Sequence, residues 1–296
     1  MSYENAKTLI LRNLPAPSHP SRGAPIFTVF GCRGGAGATT VAVNLAARMA
    51  QSGPRGAVIV DLDVQLGDVL CALNIEPRAT FVDILDEIDR LEPAALRRRL
   101  AAHPSGIYVL SQASNFMQLE GLQPERIETL LNVLARHFEA VIVDGVRDFG
   151  DLALPALDCA SQILMVLTAD VPAVRAAARS AEVFRELGFP EDKLFVVVNR
   201  HRKRASVDLP GVVHRMALPV RAAIANDFKS VEHAVNHGVL LVEALPRARV
   251  SRDLRLLADK LLLPGAEVVQ AARAPKQAGR RGLARWFGRA HAEAKP

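Results

Sequence analysis

Long hydrophobic runs are missing from this chain. No apolar stretch approaches the 18 residues of a membrane-crossing helix, and Cys159–Ala169 spans only 11. That excludes a transmembrane helix. The N-terminus has no basic segment followed by an apolar one, so no secretory signal is expected. Cysteine is scarce: Cys32, Cys71 and Cys159 lie far apart, with no CxxC spacing. A disulfide framework and a zinc pattern are excluded, and a reducing compartment is implied. Most of the chain also lacks net charge. Seven Lys/Arg and one acid beyond residue 270 account for the whole formal charge of +6. The first 270 residues are neutral, so the high pI of about 9.6 describes the tail and not a DNA-binding body.

What remains is 296 residues, half hydrophobic and 23% charged, an ordinary globular composition. Residues 1–25 contain "LPAPSHPSRGAP" and predict a flexible leader. From residue 26 to 264, apolar strand-like runs alternate with helical ones. Strands are expected at Ile26–Phe30, Ala57–Asp61, Ile107–Leu110, Ala140–Asp144, Gln162–Leu167 and Leu194–Asn199. Helices are expected at Thr39–Gln51, Pro93–Ala102, Pro124–His137, Val174–Leu187, Asp227–Asn236 and Ser251–Leu262. Runs such as "AVIVD" and "LFVVVN" are apolar throughout, as strands buried on both faces are. The alternation predicts an α/β domain of three layers: a mostly parallel sheet with helices on both faces. Residues 265–296 are expected to form a basic linker and a C-terminal helix.

Residues 31–40 read "GCRGGAGATT", between the first strand and the first helix. A strand, a glycine-rich loop and a helix make a cradle for nucleotide phosphates. Successive backbone N–H groups form an anion nest, and the helix N-terminus adds positive potential. The lysine that normally precedes the Thr-Thr pair is absent; Ala38 stands there. Open α/β sheets gather ligands beyond the C-terminal ends of their strands. Asp61 and Asp63 end the second expected strand, Asp144 the fourth and Asn199 the sixth, so all four should face the loop. A Thr39 hydroxyl and the Asp144 carboxylate suit Mg²⁺, which takes a few carboxylates plus phosphate oxygens and water. Each feature alone has a plainer reading, as tight packing or as a helix N-cap. Together they point to a nucleoside triphosphate with Mg²⁺. A dinucleotide-binding fold is the alternative, since Asp61 lies 24 residues after Gly37. Against it, the fingerprint G-x-G-x-x-G would run from Gly35 to Thr40 and lacks its last glycine.

The stretch Arg33-Gly34-Gly35-Ala36-Gly37-Ala38-Thr39 resembles the deviant P-loop of ParA/MinD-type ATPases, K-G-G-x-x-K-[ST]. With "VDLDVQLGDV", "VIVDGVRD", "VVVNR" and "IANDFKSVEHAVNHGVLLVEALP", it resembles the TadZ/CpaE-like branch of that superfamily, which serves Tad (Flp) pilus assembly. The likeness runs from about Ile26 to Leu262. It implies a P-loop NTPase fold, ATP and Mg²⁺ as ligands, and a nucleotide-sandwiched homodimer. Residues 34–40, Gly34, Gly35, Ala36, Gly37, Ala38, Thr39 and Thr40, would bind the phosphates, with Thr39 also on the metal. Arg33 would take the place of the lysine that reaches into the partner's site. Asp63 would orient the attacking water, Asp144 would end the Walker B strand at the metal, and Asn199 would read the adenine edge. Pilus or secretion proteins are the implied partners, and the inner face of the cell membrane the implied place.

The departures shape the expected activity. Ala38 removes a phosphate-binding cation, Gly145-Val146 replace the usual proline turn, and Ala225 stands where a proline is usual. The branch usually has a receiver-like N-terminal domain, which residues 1–25 are too few to form. A charged hydrogen bond is worth roughly 1.5–3 kcal/mol, so its loss weakens binding without abolishing it. Hydrolysis depends almost wholly on charge stabilisation. The expectation is an ATP-binding scaffold with weak or absent ATPase activity; an active ATPase switch that positions or partitions a cargo is the rival.

The tail segment "RRGLARWFGRA" holds the only tryptophan. At about 100° per residue, Leu283, Trp286 and Phe287 share one helical face and Arg281, Arg285 and Arg289 the opposite one. That pattern predicts a helix lying in an anionic membrane surface. Docking on a protein partner, or a disordered basic tail, are the alternatives. The clusters "HRKR" at 201–204 and "RRR" at 97–99 lack interleaved aromatics, so DNA is not an expected partner.

Overall fold

The computed structural model describes residues 23–262 apart from Asp89, Leu91 and 113–121. Among these residues, β1 (Ile26–Gly31), β2 (Ala57–Asp61), β3 (Ala101–Ala102), β4 (Ile107–Leu110), β5 (Ala140–Val146), β6 (Gln162–Thr168), β7 (Leu194–His201) and β8 (Val220–Ala225) form one sheet. The spatial order is β3-β4-β2-β5-β1-β6-β7-β8. Every neighbouring pair is parallel except β3 with β4.

The apolar strands are buried on both faces, as their unbroken hydrophobicity requires. Successive side chains alternate. Ile26 and Phe30 of β1 join one core with Leu130, Phe138 and Phe184. Phe27 and Val29 join the other, with Val41 and Leu45 of the helix Ala38–Ala50 and Leu254 and Leu257 of the helix Arg249–Leu262. Thr28, on the Ile26 and Phe30 face, is fully buried and satisfied, its hydroxyl donating to Ala156 O at 2.7 Å. Helices thus cover both faces, and the α/β three-layer expectation holds.

Some boundaries differ from expectation. The helix from Pro93 stops at Arg99, and Ala101–Ala102 leave it to pair antiparallel with β4. Leu100 is already extended at ψ 146°, and its buried side chain turns the chain into the sheet edge. The helix expected from Val174 begins at Val171, where the Asp170 side chain caps it by accepting from Ala173 N at 3.0 Å. β8 was not expected; "VRAAIA" is half-exposed and carries an arginine, so it lacks the apolar signal of a central strand. The short helices Val69–Leu73, Phe81–Glu87, Ala153–Cys159, Leu209–Met216 and Leu241–Ala244 are also additions to the sequence reading. None exceeds eight residues, too few for apolar spacing to repeat over several turns.

Candidate functional site

β1 lies between β5 and β6, where the chain's path across the sheet reverses. The loop that leaves its C-terminal end therefore sits at the switch point, where open α/β sheets bind ligands. Cys32 N donates to Val166 O at 3.1 Å and fastens the loop to β6. Ala36 N donates to Arg33 O at 3.2 Å and closes the turn. Gly35 and Gly37 have φ of 75° and 84°, the left-handed region that favours glycine. Gly37 is needed for a second reason: a Cβ there would stand 2.5 Å from Asn199 Nδ2.

The helix Ala38–Ala50 begins directly after Gly37 with no side-chain cap and no acid in its first turn. Its first N–H groups and its dipole are left for an anion. A Cβ on Gly34 or Gly35 would meet nothing within 4 Å, so the crest of the loop is open. Thr39 and Thr40 lie in the first turn, and Thr40 O accepts from Asn44 Nδ2 at 2.9 Å.

Three acids cluster at the C-terminal ends of β2 and β5, and Asp144 meets Thr39 of the helix that follows the loop. Asp61 and Asp144 are register partners across these strands, and both are buried. Asp61 accepts from Asp63 N at 3.0 Å and Val69 N at 3.4 Å. Burial, and then the neighbouring Asp144, push its carboxyl up to about 7. Asp144 is pushed up to about 6 by burial, against the opposing effect of hydrogen bonds from the Thr39 side chain and Gly145 backbone. Its Oδ1 is buried with no hydrogen-bond partner. Asp63 Oδ1 accepts from Gln65 N at 3.2 Å and Leu66 N at 3.1 Å, and its Oδ2 pairs with Arg147.

Gly145 makes this apposition possible. Its φ is 85°, and a Cβ on it would lie 2.2 Å from Asp63 N. The backbone of β5 passes so close to the Asp63 loop that only glycine fits. Sequence reading noticed Gly145 as a departure but not its purpose, and it missed Arg147. A basic residue three places after a strand-ending acid, on the strand beside β1, was the available signal.

The other expected residues are placed as follows. Asn199 is buried at the end of β7, where its Nδ2 donates to Ala36 O at 2.8 Å and its Oδ1 accepts from Arg200 N at 2.8 Å. Its amide braces the loop in this structure. Arg33 is half-exposed and lies 3.8 Å from Asp170. The tail residues Leu283, Trp286, Phe287, Arg281, Arg285 and Arg289 lie outside the described residues.

These groups fit a phosphate chain with Mg²⁺. The open amides are anion donors. An unpartnered carboxylate oxygen beside a threonine hydroxyl offers the hard oxygen ligands that Mg²⁺ takes. Among the described residues, no group of three or more His, Cys, Asp or Glu is arranged to hold a metal. The cation would complete its shell with phosphate oxygens and water, as Mg²⁺ ordinarily does.

Residues 24–187, more than half of the chain, match the AAA_31 family, described as an AAA domain. The chain belongs to this AAA-domain family. Its relatives place it in the ParA/MinD superfamily of P-loop ATPases. The septum site-determining protein MinD of Thermotoga maritima is 25% identical over 247 residues, covering 80% of this chain and 87% of that protein. The antiactivator FleN of Pseudomonas aeruginosa is 25% identical over 246 residues, covering 80% and 85%. In fold, this AAA-domain chain matches a ParA family ATPase from Chlorobium tepidum with a TM-score of 0.74 at 19% identity, over 79% of this chain and 98% of that one. MinD of Pyrococcus horikoshii, solved with Mg-ADP, matches with a TM-score of 0.67 at 17% identity, over 80% and 96%. The expected P-loop NTPase fold is therefore shown. No helix among the described residues is long and apolar enough to cross a membrane.

Proposed function

We propose that this chain binds ATP with Mg²⁺ and serves as a ParA/MinD-type scaffold that positions or assembles a Tad (Flp) pilus machine, with weak or absent hydrolysis. The single observation behind the binding reading is the buried Asp144 Oδ1, which lacks a partner beside Thr39 and the open glycine loop. A carboxylate oxygen kept dry and unpaired calls for a cation. Thr39 and Asp144 hold the metal, directly or through water, and the amides of residues 34–40 bind the phosphates. Bound Mg²⁺ supplies neutralisation of phosphate charge. Asn199 braces the loop against β7 and would turn toward a base when nucleotide binds. Arg33 reaches for the site of a second copy, which makes a nucleotide-dependent homodimer.

Weak hydrolysis is expected because Ala38 offers the phosphates no cation from within the loop itself. The pilus assignment rests on the sequence resemblance of the loop and strand ends to the TadZ/CpaE-like branch. It also carries the proposed pilus or secretion partners and the site at the inner membrane face. The relatives named for septum positioning and for antiactivation support the coarser reading of a positioning ATPase. An active switch is the second reading, favoured by Thr39 and Asp63 both lying close enough to Asp144 to act on its carboxyl. Calorimetry with Mg-ATP and turnover assays with and without anionic vesicles test both. No binding at millimolar nucleotide defeats the site; turnover near that of active relatives defeats the scaffold reading in favour of the switch.

A further inference from the structure

The phosphate site lacks a cation at position 38, and Arg147 stands beside that gap. A Cβ built on Gly31 would lie 3.5 Å from Ala38 Cβ and 3.5 Å from Arg147 Cγ. Both side chains thus leave the backbone over the residue where the glycine loop starts. The strand register agrees, since Phe30 of β1 is level with Val146 of β5. Ala38 ends at its methyl. Arg147 runs on, and its Nη2 donates to Asp63 Oδ2. Its positive charge also acts on the buried Asp144, where it favours the ionised form. The side chain is 46% exposed, so its guanidinium is not locked by packing. Arg33, the other cation near the loop, is directed to Asp170 at the end of β6.

We infer that Arg147 is the phosphate-binding cation of this site: it takes the terminal phosphate of ATP in place of the absent lysine and releases Asp63 as it does so. The inference rests on the nucleotide reading above. A guanidinium presents a planar fork that matches two phosphate oxygens, and it pairs with carboxylate or phosphate by the same geometry. Asp63 and the terminal phosphate therefore compete for one group. Without that phosphate, Arg147 closes on Asp63. With it, the guanidinium moves to the more highly charged oxygens and Asp63 Oδ2 is freed. ADP has no such phosphate and leaves the pair closed. The Asp63–Arg147 pair becomes a device that tells ATP from ADP, built on a residue that a search for the usual lysine overlooks.

Calorimetry of the full chain with Mg-ATP and with Mg-ADP tests this. Arg147→Ala should weaken ATP binding about 10- to 100-fold, the loss of one charged hydrogen-bonding group, and ADP binding less than about threefold. Asp63→Asn breaks the same pair from the other side and should tighten ATP binding, because nothing then competes for the guanidinium. Opposite signs separate a phosphate-binding arginine from one that merely holds Asp63 in place, for which both variants would act alike. Ala38→Lys added to Arg147→Ala should restore most of the lost ATP affinity, and Arg147→Lys should fall between wild type and Arg147→Ala. If Arg147→Ala does not fold, the Asp63→Asn and Arg147→Lys arms decide alone. An unchanged ATP-to-ADP affinity ratio in the arginine variants overturns the inference while the nucleotide site stands. A wild-type protein that binds neither nucleotide overturns both.

Discussion

Replacing Asp144 by asparagine should stabilise the protein without nucleotide at neutral and higher pH. The carboxyl is buried and raised from an ordinary 3.8 to about 6. The sign follows from proton linkage. The folded state holds this proton more tightly than the unfolded chain. Stability therefore falls as pH rises from about 4 through 6, and above that the penalty is constant. About two pH units correspond to roughly 3 kcal/mol. Asparagine removes the charge and keeps an oxygen for the Thr39 and Gly145 hydrogen bonds. Its new N–H group lacks an assured acceptor, which costs about 1 kcal/mol. The net gain is about 2 kcal/mol, or roughly 4–8 °C in Tm for a domain of this size.

The pH profile distinguishes this cause from better packing. Thermal unfolding of wild type and Asp144→Asn should differ most above pH 7. The charge contribution should be about half as large at pH 5 and mostly gone at pH 4. Mg-ATP should reverse the order at pH 8: it should raise the wild-type Tm by ligand linkage, and the variant should lose the Mg²⁺-dependent part of that rise. A variant less stable than wild type at pH 8 without nucleotide would refute the argument from desolvation. A pH-independent difference would refute it equally.

Three further outcomes are expected. Gly145→Ala should destabilise the protein by about 2 kcal/mol or more, measured by urea unfolding, because the new Cβ meets backbone at positive φ; a change under about 0.5 kcal/mol would mean that the Asp63 loop yields freely. Mg-ATP should raise the dimer fraction in sedimentation, and Arg33→Ala should remove that rise; equal ratios with and without nucleotide exclude the sandwich. Deleting residues 279–296 should abolish binding to anionic vesicles while leaving nucleotide affinity unchanged, and Trp286 with Phe287 both changed to Ser should act alike, since those rings supply most of the apolar contribution; equal vesicle binding by the truncated chain excludes the membrane helix.

The central strands were legible because their signal is composition alone. β2 and β4 have the expected bounds, and β1, β5, β6 and β7 run one or two residues further. A strand buried on both faces has no other way to look. β8 was hidden because one exposed edge residue, Arg221, breaks the run. The loop and the acids Asp61, Asp63 and Asp144 were legible because chain order places strand ends at one edge of a parallel sheet. What sequence could not supply was lateral proximity. Gly145 faces Asp63 because β5 sits beside β2, and Arg147 lies over Gly31 because β5 also sits beside β1. Neither adjacency follows from chain order, since β5 is inserted between two strands that precede it. Asn199 shows the same limit: its position was expected, but its bond to Ala36 O depends on how closely β7 approaches the loop.

The same proximity explains why the site tolerates so much buried acid. Asp61 and Asp144 lie side by side without a lysine at position 38, and their raised proton affinities express that cost. Near neutral pH the pair resists full ionisation, and Arg147 offsets part of the repulsion from outside. A divalent cation held beside the unpartnered Asp144 oxygen would do so more strongly, since it carries two charges. Metal binding and acid ionisation are then linked, so Mg²⁺ affinity should rise with pH through the range where these carboxyls titrate. A lysine at position 38 would weaken that link by lowering the carboxyls' proton affinity whether or not metal is present. The alanine therefore has a consequence beyond a missing contact. Under the proposed reading it leaves the metal and the terminal phosphate, with Arg147, as the charges that would complete the site.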